Sequence, residues 1–212
     1  MDTGANVTVT EENLEQFGVM GSAYMRKMYG MKTPRVGLLN NGAEECKGTL
    51  LQQAAYKRLQ NNPDVHFVGN VEGNVVPFDR CDVLVADGFT GNIYLKGIEG
   101  LGKMLLGRLK QMFKSTLLTK LAAAAMMKHI KAMKKEYDTS EHGGAPILGV
   151  SKPVIKAHGS SDAKAFKNAI RQAIAFANSG VIDEIAIVAK EYAERKKAAR
   201  EDVVVSENNK GE

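Results

Sequence analysis

The stretch that most constrains this chain is Asp82-Val83-Leu84-Val85-Ala86-Asp87-Gly88-Phe89-Thr90-Gly91-Asn92. Its first half is a short apolar, β-branched run of the kind a buried parallel strand needs. Its second half is a turn of small and polar residues, and a helical apolar period follows through Tyr94, Ile98, Leu101, Leu105 and Met112. Strand, tight turn and helix in this order aim backbone N–H groups and a helix N-terminus at an anion. On an open parallel sheet that strand end is also where ligands bind. The competing reading is structural: a tight βα turn in which Asp87 does no more than cap the helix.

Units of the same kind recur along the chain. Arg35–Leu39 reads as a strand ending in Asn40-Asn41-Gly42, Val65–Val68 as another ending at Gly69, and Pro153–Lys156 as a third that opens into His158-Gly159-Ser160-Ser161-Asp162. Short β-rich runs between helical periods predict an α/β fold, with a parallel or mostly parallel sheet carrying helices on both faces. The parallel strands are expected near 35–39, 65–68, 82–86 and 153–156. A capping box of Thr8 with Glu11 is expected to open the first helix, with Leu14, Phe17, Met20, Met25 and Met28 inward and Gly30 as its stop. Ser160, Ser161 and Asp162 are expected to cap a helix whose core face is Ala165, Phe166, Ala169, Ile170, Ala173 and Ile174. A last helix runs from Val181 to about Lys197. The whole reads as one domain over residues 1–200, with a disordered tail over 201–212. Met1-Asp2-Thr3-Gly4 begins abruptly, as if a strand should precede it.

Composition removes several function classes. The cysteines, Cys46 and Cys81, are only two and far apart, so they form neither a disulfide framework nor a metal cluster. A reducing cytoplasm is expected. The four histidines are scattered, so no metal site is expected, and no cofactor motif appears. Neither a secretory signal nor a bilayer-spanning apolar run is expected. A net charge of +5 favours an acidic partner or surface.

The loop Gly42–Thr49 is not a Walker loop, because its order is Lys-Gly-Thr rather than Gly-Lys-Thr. Glu45 and Lys47 are its candidates for a substrate cleft. His66 alternates with apolar neighbours and reads as structural. Lys156 and His158 stand beside an expected helix N-terminus, with the backbone of Gly159, Ser160, Ser161 and Asp162, which suits phosphate; the alternative for His158 is a hydrogen-bonded turn residue.

Residues 93–137 differ from the rest. No acidic residue lies between Glu99 and Glu136, whereas Lys103, Arg108, Lys110, Lys114, Lys120, Lys128 and Lys131 all do. Two helical segments are expected, forming a hairpin near Ser115-Thr116. One reading packs it into the core with a solvated basic face. The other makes it a membrane-surface element, with Leu117, Leu118, Leu121, Met126 and Met127 immersed and Lys120 and Lys128 on anionic lipid. Nucleic acid is not expected, since the run lacks interleaved aromatics and any reader motif.

Several motifs together resemble one family. Asp2-Thr3-Gly4-Ala5-Asn6, Gly69-Asn70-Val71-Glu72-Gly73, Asp87-Gly88-Phe89-Thr90-Gly91-Asn92 and Lys156-Ala157-His158-Gly159-Ser160-Ser161-Asp162-Ala163-Lys164 are similar to motifs of the bacterial phosphate acyltransferases of phospholipid synthesis. Pro34–Asn40, Leu117–Ala123 and Asn168–Ala173 follow the same pattern, in the same order. The resemblance implies a fold like that of phosphate acetyltransferases and isocitrate dehydrogenases. It implies transfer of a fatty acyl group from acyl carrier protein to inorganic phosphate, giving acyl phosphate for glycerol-phosphate acylation. A homodimer and loose membrane attachment through the hairpin, near a membrane glycerol-phosphate acyltransferase, are also implied. Family members carry a long N-terminal α/β portion before the Asp-x-Gly-Ala-Asn motif, and this chain starts at that motif.

Such a reaction needs no serine or cysteine nucleophile, because phosphate is itself nucleophilic near neutral pH and a thiolate leaves readily. The expected catalytic residues are Asn92, Lys156 and His158. Lys156, His158 and the Gly159–Asp162 backbone are expected at phosphate, and Asn92, Thr90 and the Gly88–Gly91 backbone at the acyl carbonyl oxygen. Asp87 is expected to orient a lysine or hydroxyl rather than act as a base, and Lys103, Arg108 and Lys110 to steer the acidic carrier protein. Two rivals remain open: a catalytically incomplete remnant acting as a membrane-surface or regulatory module, and an acyltransferase using acyl coenzyme A.

Overall fold

The computed structural model describes residues 1–136, 143–159 and 161–208. Helix α1 (Glu11–Tyr29) opens with Thr10 accepting from the Asn13 N–H, while the Asn13 side chain accepts from the Thr10 N–H at 3.0 Å. The capping box therefore sits two residues later than the expected Thr8–Glu11 pair, because Asn13 offers the short side-chain acceptor that closes it. Gly30 ends the helix with a left-handed φ of 67°, as its sequence position predicts.

Strands β1 (Arg35–Asn40), β2 (His66–Glu72) and β3 (Val83–Val85) form a parallel sheet in the order β2-β1-β3. Helix α2 (Leu50–Asn61) crosses between β1 and β2. Val36, Leu38, Val83 and Val85 point to one face and bury Leu14 and Phe17 of α1 together with Ala55 and Leu59 of α2. Gly18 and Gly21 let α1 lie close on the sheet, since a Cβ at Gly21 would stand 2.4 Å from Val83 Cγ1. Both helices thus cover one face, where alternation alone predicted cover on two.

After β3 the chain leaves the sheet in helices α3 (Gly88–Lys114), α4 (Leu117–Ala125) and α5 (Met127–Glu136). The break at Ser115-Thr116 falls where expected, with Thr116 accepting from the Thr119 N–H. A second break at Met126 was not expected.

Strands β4 (Gly144–Pro146) and β5 (Ile155–Ala157) then pair antiparallel in a sheet of their own. The fourth parallel strand predicted near 153–156 is therefore not part of the main sheet. Its partner lies just upstream, and the connection over residues 147–154 is too short for the crossover that parallel pairing demands. Helix α6 (Ala163–Asn178) buries Ala165, Asn168, Ala169 and Phe176, while Phe166, Ile170 and Ile174 are exposed. Its apolar residues wrap around more than half the helix, so periodicity could not select the arc that packs.

Helix α7 (Val181–Asn208) runs past the expected end at Lys197 and through the first part of the predicted tail, because no glycine or proline stops its Ala-, Glu- and Lys-rich sequence. Residues 209–212 lie outside the described residues. Phe176, Val181 and Ile185 close a second core on Ala23, Tyr24 and Met28, toward the C-terminal half of α1. Polar contacts hold α7 along α1. The buried Glu15 carboxylate accepts from Tyr192 Oη (2.8 Å), Asn62 Nδ2 (2.7 Å) and Arg58 (3.2 Å). Lys196 pairs with Glu12, and Arg195 with Asp64. Arg26 pairs with Glu184 at 2.8 Å.

Candidate functional site

Three parallel strands end on one edge, and most of the sequence motifs gather there. Asp2 begins the construction. Its backbone N–H donates to the Ala86 carbonyl (2.7 Å), and the Ala86 N–H donates to the Met1 carbonyl (2.8 Å), so Met1-Asp2 runs alongside the end of β3. The Asp2 carboxylate accepts from the backbone N–H groups of Gly4 (3.0 Å), Ala5 (3.0 Å) and Asn6 (2.6 Å) and from Asn6 Nδ2 (2.9 Å). Burial pushes this carboxyl up, but the donated hydrogen bonds outweigh it and hold it below the usual carboxylate range. Residues 2–6 become a rigid ring of backbone closed on a charge.

That ring interlocks with the start of α3. Gly88 donates its N–H to the Asn6 carbonyl at 2.8 Å, and a Cβ at Gly88 would stand 2.6 Å from that oxygen. At Gly91 a Cβ would come within 2.0 Å of the Asp2 carbonyl. Glycine is required at both positions because the backbone of residues 2–6 crosses there. Asn92 Nδ2 donates to the Thr3 carbonyl at 2.7 Å. Asp87 caps α3, accepting from the Thr90 N–H (2.8 Å) and Thr90 Oγ1 (2.7 Å). Tyr94 Oη donates to the Gly73 carbonyl (2.8 Å), tying the end of β2 to the helix that follows β3.

The loop after β1 reaches the same edge. Asn70 Nδ2 donates to the Glu44 carbonyl (2.8 Å) and Asn40 Nδ2 to the Lys47 carbonyl (3.2 Å), so β2 and β1 both hold it. Glu45 and Lys47 stand exposed on it. Asn70 Oδ1 is buried with no partner among the described residues.

These bonds revise one expectation. The N–H groups of Gly88, Thr90 and Gly91 are occupied by Asn6, the Asp87 side chain and the Asp87 carbonyl, so the Gly88–Gly91 backbone does not offer the open set of donors read from sequence. Asp87 caps the helix, the structural reading of this stretch, and its other carboxylate oxygen holds the Thr90 hydroxyl. Asn92 keeps a second amide hydrogen beyond the one given to Thr3.

The second motif lies in a different neighbourhood. Lys156 and His158 are exposed at the end of β5, the Ser161 N–H donates to the His158 carbonyl (3.0 Å), and Asp162 caps α6 by accepting from the Ala165 N–H (2.8 Å). Gly159 is exposed, Ser160 lies outside the described residues, and Ser161 is partly buried. Any phosphate at this helix end would share it with the Asp162 carboxylate. Strand β5 is positioned by β4, by α6 and, through Ile155, by the core on Met20, Tyr24 and Met28. The Asp87–Asn92 turn is positioned by residues 2–6, which lead into the opposite end of α1. The two motifs expected to share one cleft are thus set by separate contacts.

A cavity of about 320 Å³ opens at the start of the strands, lined by residues of neither motif, among them Ser22, Arg26, Lys32, Asp64 and His66. Among the described residues, no three His, Cys, Asp or Glu side chains come together as a metal donor set. Asp2, Asn6, Asn40, Asn70, Gly73 and Tyr94 were given no role from sequence. Asp2 with glycine two residues on carried a readable Asx-turn signal, but its partner strand did not.

Comparison with known proteins turns this edge into an identification. A profile of the fatty acid synthesis protein family matches residues 1–184. The chain belongs to that family. It is 45% identical over 185 residues to the phosphate acyltransferase of Caldanaerobacter subterraneus subsp. tengcongensis, covering 87% of this chain and 55% of that protein. It is 48% identical over 185 residues to the phosphate acyltransferase of Brevibacillus brevis (strain 47 / JCM 6285 / NBRC 100599), covering 87% and 55%. The phosphate acyltransferase of Shouchella clausii (strain KSM-K16) is 48% identical over 173 residues, covering 82% and 52%. The chain therefore spans about half the length of the curated relatives it matches.

Proposed function

We propose that this chain carries part of the machinery that transfers a fatty acyl group from acyl carrier protein to inorganic phosphate, forming acyl phosphate for phospholipid synthesis. The observation that carries the reading is the interlock of Asp2–Asn6 with Asp87–Asn92 on the strand-end edge, in a chain of the fatty acid synthesis protein family. Chemically the task is positioning. Phosphate oxygen attacks the thioester carbon, the C–S bond breaks, and the thiolate leaves with a conjugate-acid pKa of about 8.5. The second amide hydrogen of Asn92 is assigned to the oxyanion. Lys156 and His158 are assigned to phosphate, and the exposed Lys103, Arg108 and Lys110 to the acidic carrier protein. Because the two motifs are set by separate contacts, their meeting at one thioester is assigned to assembly, as a homodimer or with the remaining length found in the relatives.

The test is trapping of acyl phosphate as acyl hydroxamate from acyl carrier protein thioester and phosphate. Lys156→Ala is expected to raise the KM for phosphate at least tenfold with carrier-protein binding unchanged; equal losses in both make Lys156 structural. Turnover with acyl coenzyme A but not with the acyl carrier protein thioester would reassign the donor.

A second reading is favoured by the arm α3–α5. Leu117 and Leu118 are 75% and 77% exposed, Leu121, Met126 and Met127 are exposed too, Lys114 and Lys128 bracket them, and Lys120 lies among them. We assign this tip to an anionic membrane surface, holding the protein at the inner face of the cell membrane near its glycerol-phosphate acyltransferase partner. Among the described residues, no single helix is long and apolar enough to cross a membrane. Vesicles with anionic lipid are expected to bind the chain, salt to weaken binding, and Leu118→Glu to abolish it.

A further inference from the structure

Helix α3 contains glycine of two kinds. At Gly88 and Gly91 the neighbouring backbone leaves no room for a Cβ. At Gly97, Gly100, Gly102 and Gly107 no described atom beyond the helix's own adjoining backbone and the chain neighbours lies within 4 Å of the place a Cβ would take, and none of the four has a positive φ. Neither packing nor backbone conformation among the described residues asks for glycine there. Each such glycine lowers the local helical equilibrium by about fivefold relative to alanine. Gly97, Gly100 and Gly102 place that weakening within two turns.

Their position along α3 gives the weakening a meaning. Asp87, Gly88, Gly91, Asn92 and Tyr94 anchor the first turns to the sheet edge, and Tyr94 is the last of these anchors. Beyond Gly102 the helix continues into α4 and α5 through short breaks, the first tied by Thr119 Oγ1 donating to the Phe113 carbonyl at 3.2 Å. The glycines therefore sit where the arm leaves the body. They do not form one flat stripe for a neighbouring helix. At 100° per residue Gly97, Gly100 and Gly107 fall within an arc of about 80°, while Gly102 stands about 140° or more from each. The apolar side chains beyond them point several ways as well: Met104, Leu105 and Leu106 are consecutive and all exposed. No single docked orientation covers three successive helical positions.

We infer that Gly97–Gly102 is a hinge, about which the distal half of α3 moves with α4 and α5 as one arm relative to the sheet. The hinge lets one arm present different apolar faces in turn, and it stands independently of the acyl-transfer reading.

Hydrogen–deuterium exchange on the full chain tests it. In the native chain, amides 97–103 are expected to exchange at least tenfold faster than amides 89–95 after correction for intrinsic rates. In the triple variant Gly97→Ala, Gly100→Ala, Gly102→Ala, exchange over 97–103 is expected to slow by about 100-fold, three fivefold steps, with 89–95 unchanged. Equal protection of the two segments in the native chain overturns the hinge, and that measurement needs no variant. Unchanged exchange in the triple variant overturns it too. So does a triple variant that loses self-association by sedimentation while its exchange stays native, since the glycines would then serve a helix–helix approach.

Discussion

The strand-end edge and the helical arm share a helix yet are built on opposite principles. In the first turns of α3, nearly every polar group has a partner and glycine is forced by backbone 2.0–2.6 Å away. Three turns later the same helix carries glycines that no described residue from elsewhere in the fold packs against, and leucines open to solvent. The edge spends its contacts within the chain; the arm leaves its apolar side chains open to solvent. A site that must hold atoms to a fraction of an ångström needs the first arrangement, and a surface that must dock and release needs the second.

The sharpest way to break this contrast is one substitution made at both ends of α3. Gly91→Ala is expected to destabilise the protein by about 3 kcal/mol, because its Cβ meets the Asp2 carbonyl and neither backbone can yield cheaply. Gly100→Ala is expected to stabilise it by up to about 1 kcal/mol. Urea unfolding midpoints check both; effects of the same sign would erase the distinction.

Next in size is Glu15→Ala. It removes the acceptor shared by Tyr192, Asn62 and Arg58 and is expected to cost about 2 kcal/mol. The same denaturant midpoint reads it, and faster amide exchange in α7 alone would show that the bond fastens α7 without supporting the sheet.

Asp2→Asn is expected to cost about 1.5 kcal/mol at neutral pH. The native Asp2 carboxyl is held below its ordinary value, so its contribution is fully present above the unfolded carboxylate pKa, about 3.9, and fades as pH falls below that. Stability against pH should therefore drop less steeply below pH 4 in Asp2→Asn than in the native chain. Parallel acid curves would show that the ring of donors does not depend on charge.

The smallest effect on folding belongs to the arm. Leu118→Glu is expected to change stability by less than about 0.5 kcal/mol, since the side chain is exposed, even as it abolishes binding to anionic vesicles. Unfolding of the sheet in this variant would place the arm among the elements that hold the body.

Much of the architecture can be read from residue order. Val36–Leu39, Phe67-Val68 and Val83–Val85 are short apolar runs between helical periods, and local chemistry suffices to make them strands. Gly30 and Asp162 mark helix ends for equally local reasons, and the break at Ser115-Thr116 is written in a run that cannot continue one helix face. The acid-free stretch from Glu99 to Glu136 already announces an element without ionic partners in the core. What the sequence determined by itself was whatever depends on neighbours within a few residues: element type, the helix ends at Gly30 and Asp162, the basic arm and the family pattern. Tertiary structure alone decided the rest. Strand β5 became antiparallel because β4 was its nearest partner, and α6 chose one apolar arc because Ala23 and Tyr24 were there to meet Phe176. Asp2 acquired its role only when Ala86 and Gly91, more than eighty residues away, closed over it. Spacing along a chain carries no record of which distant backbone will fill the space beside a glycine; only packing fixes that.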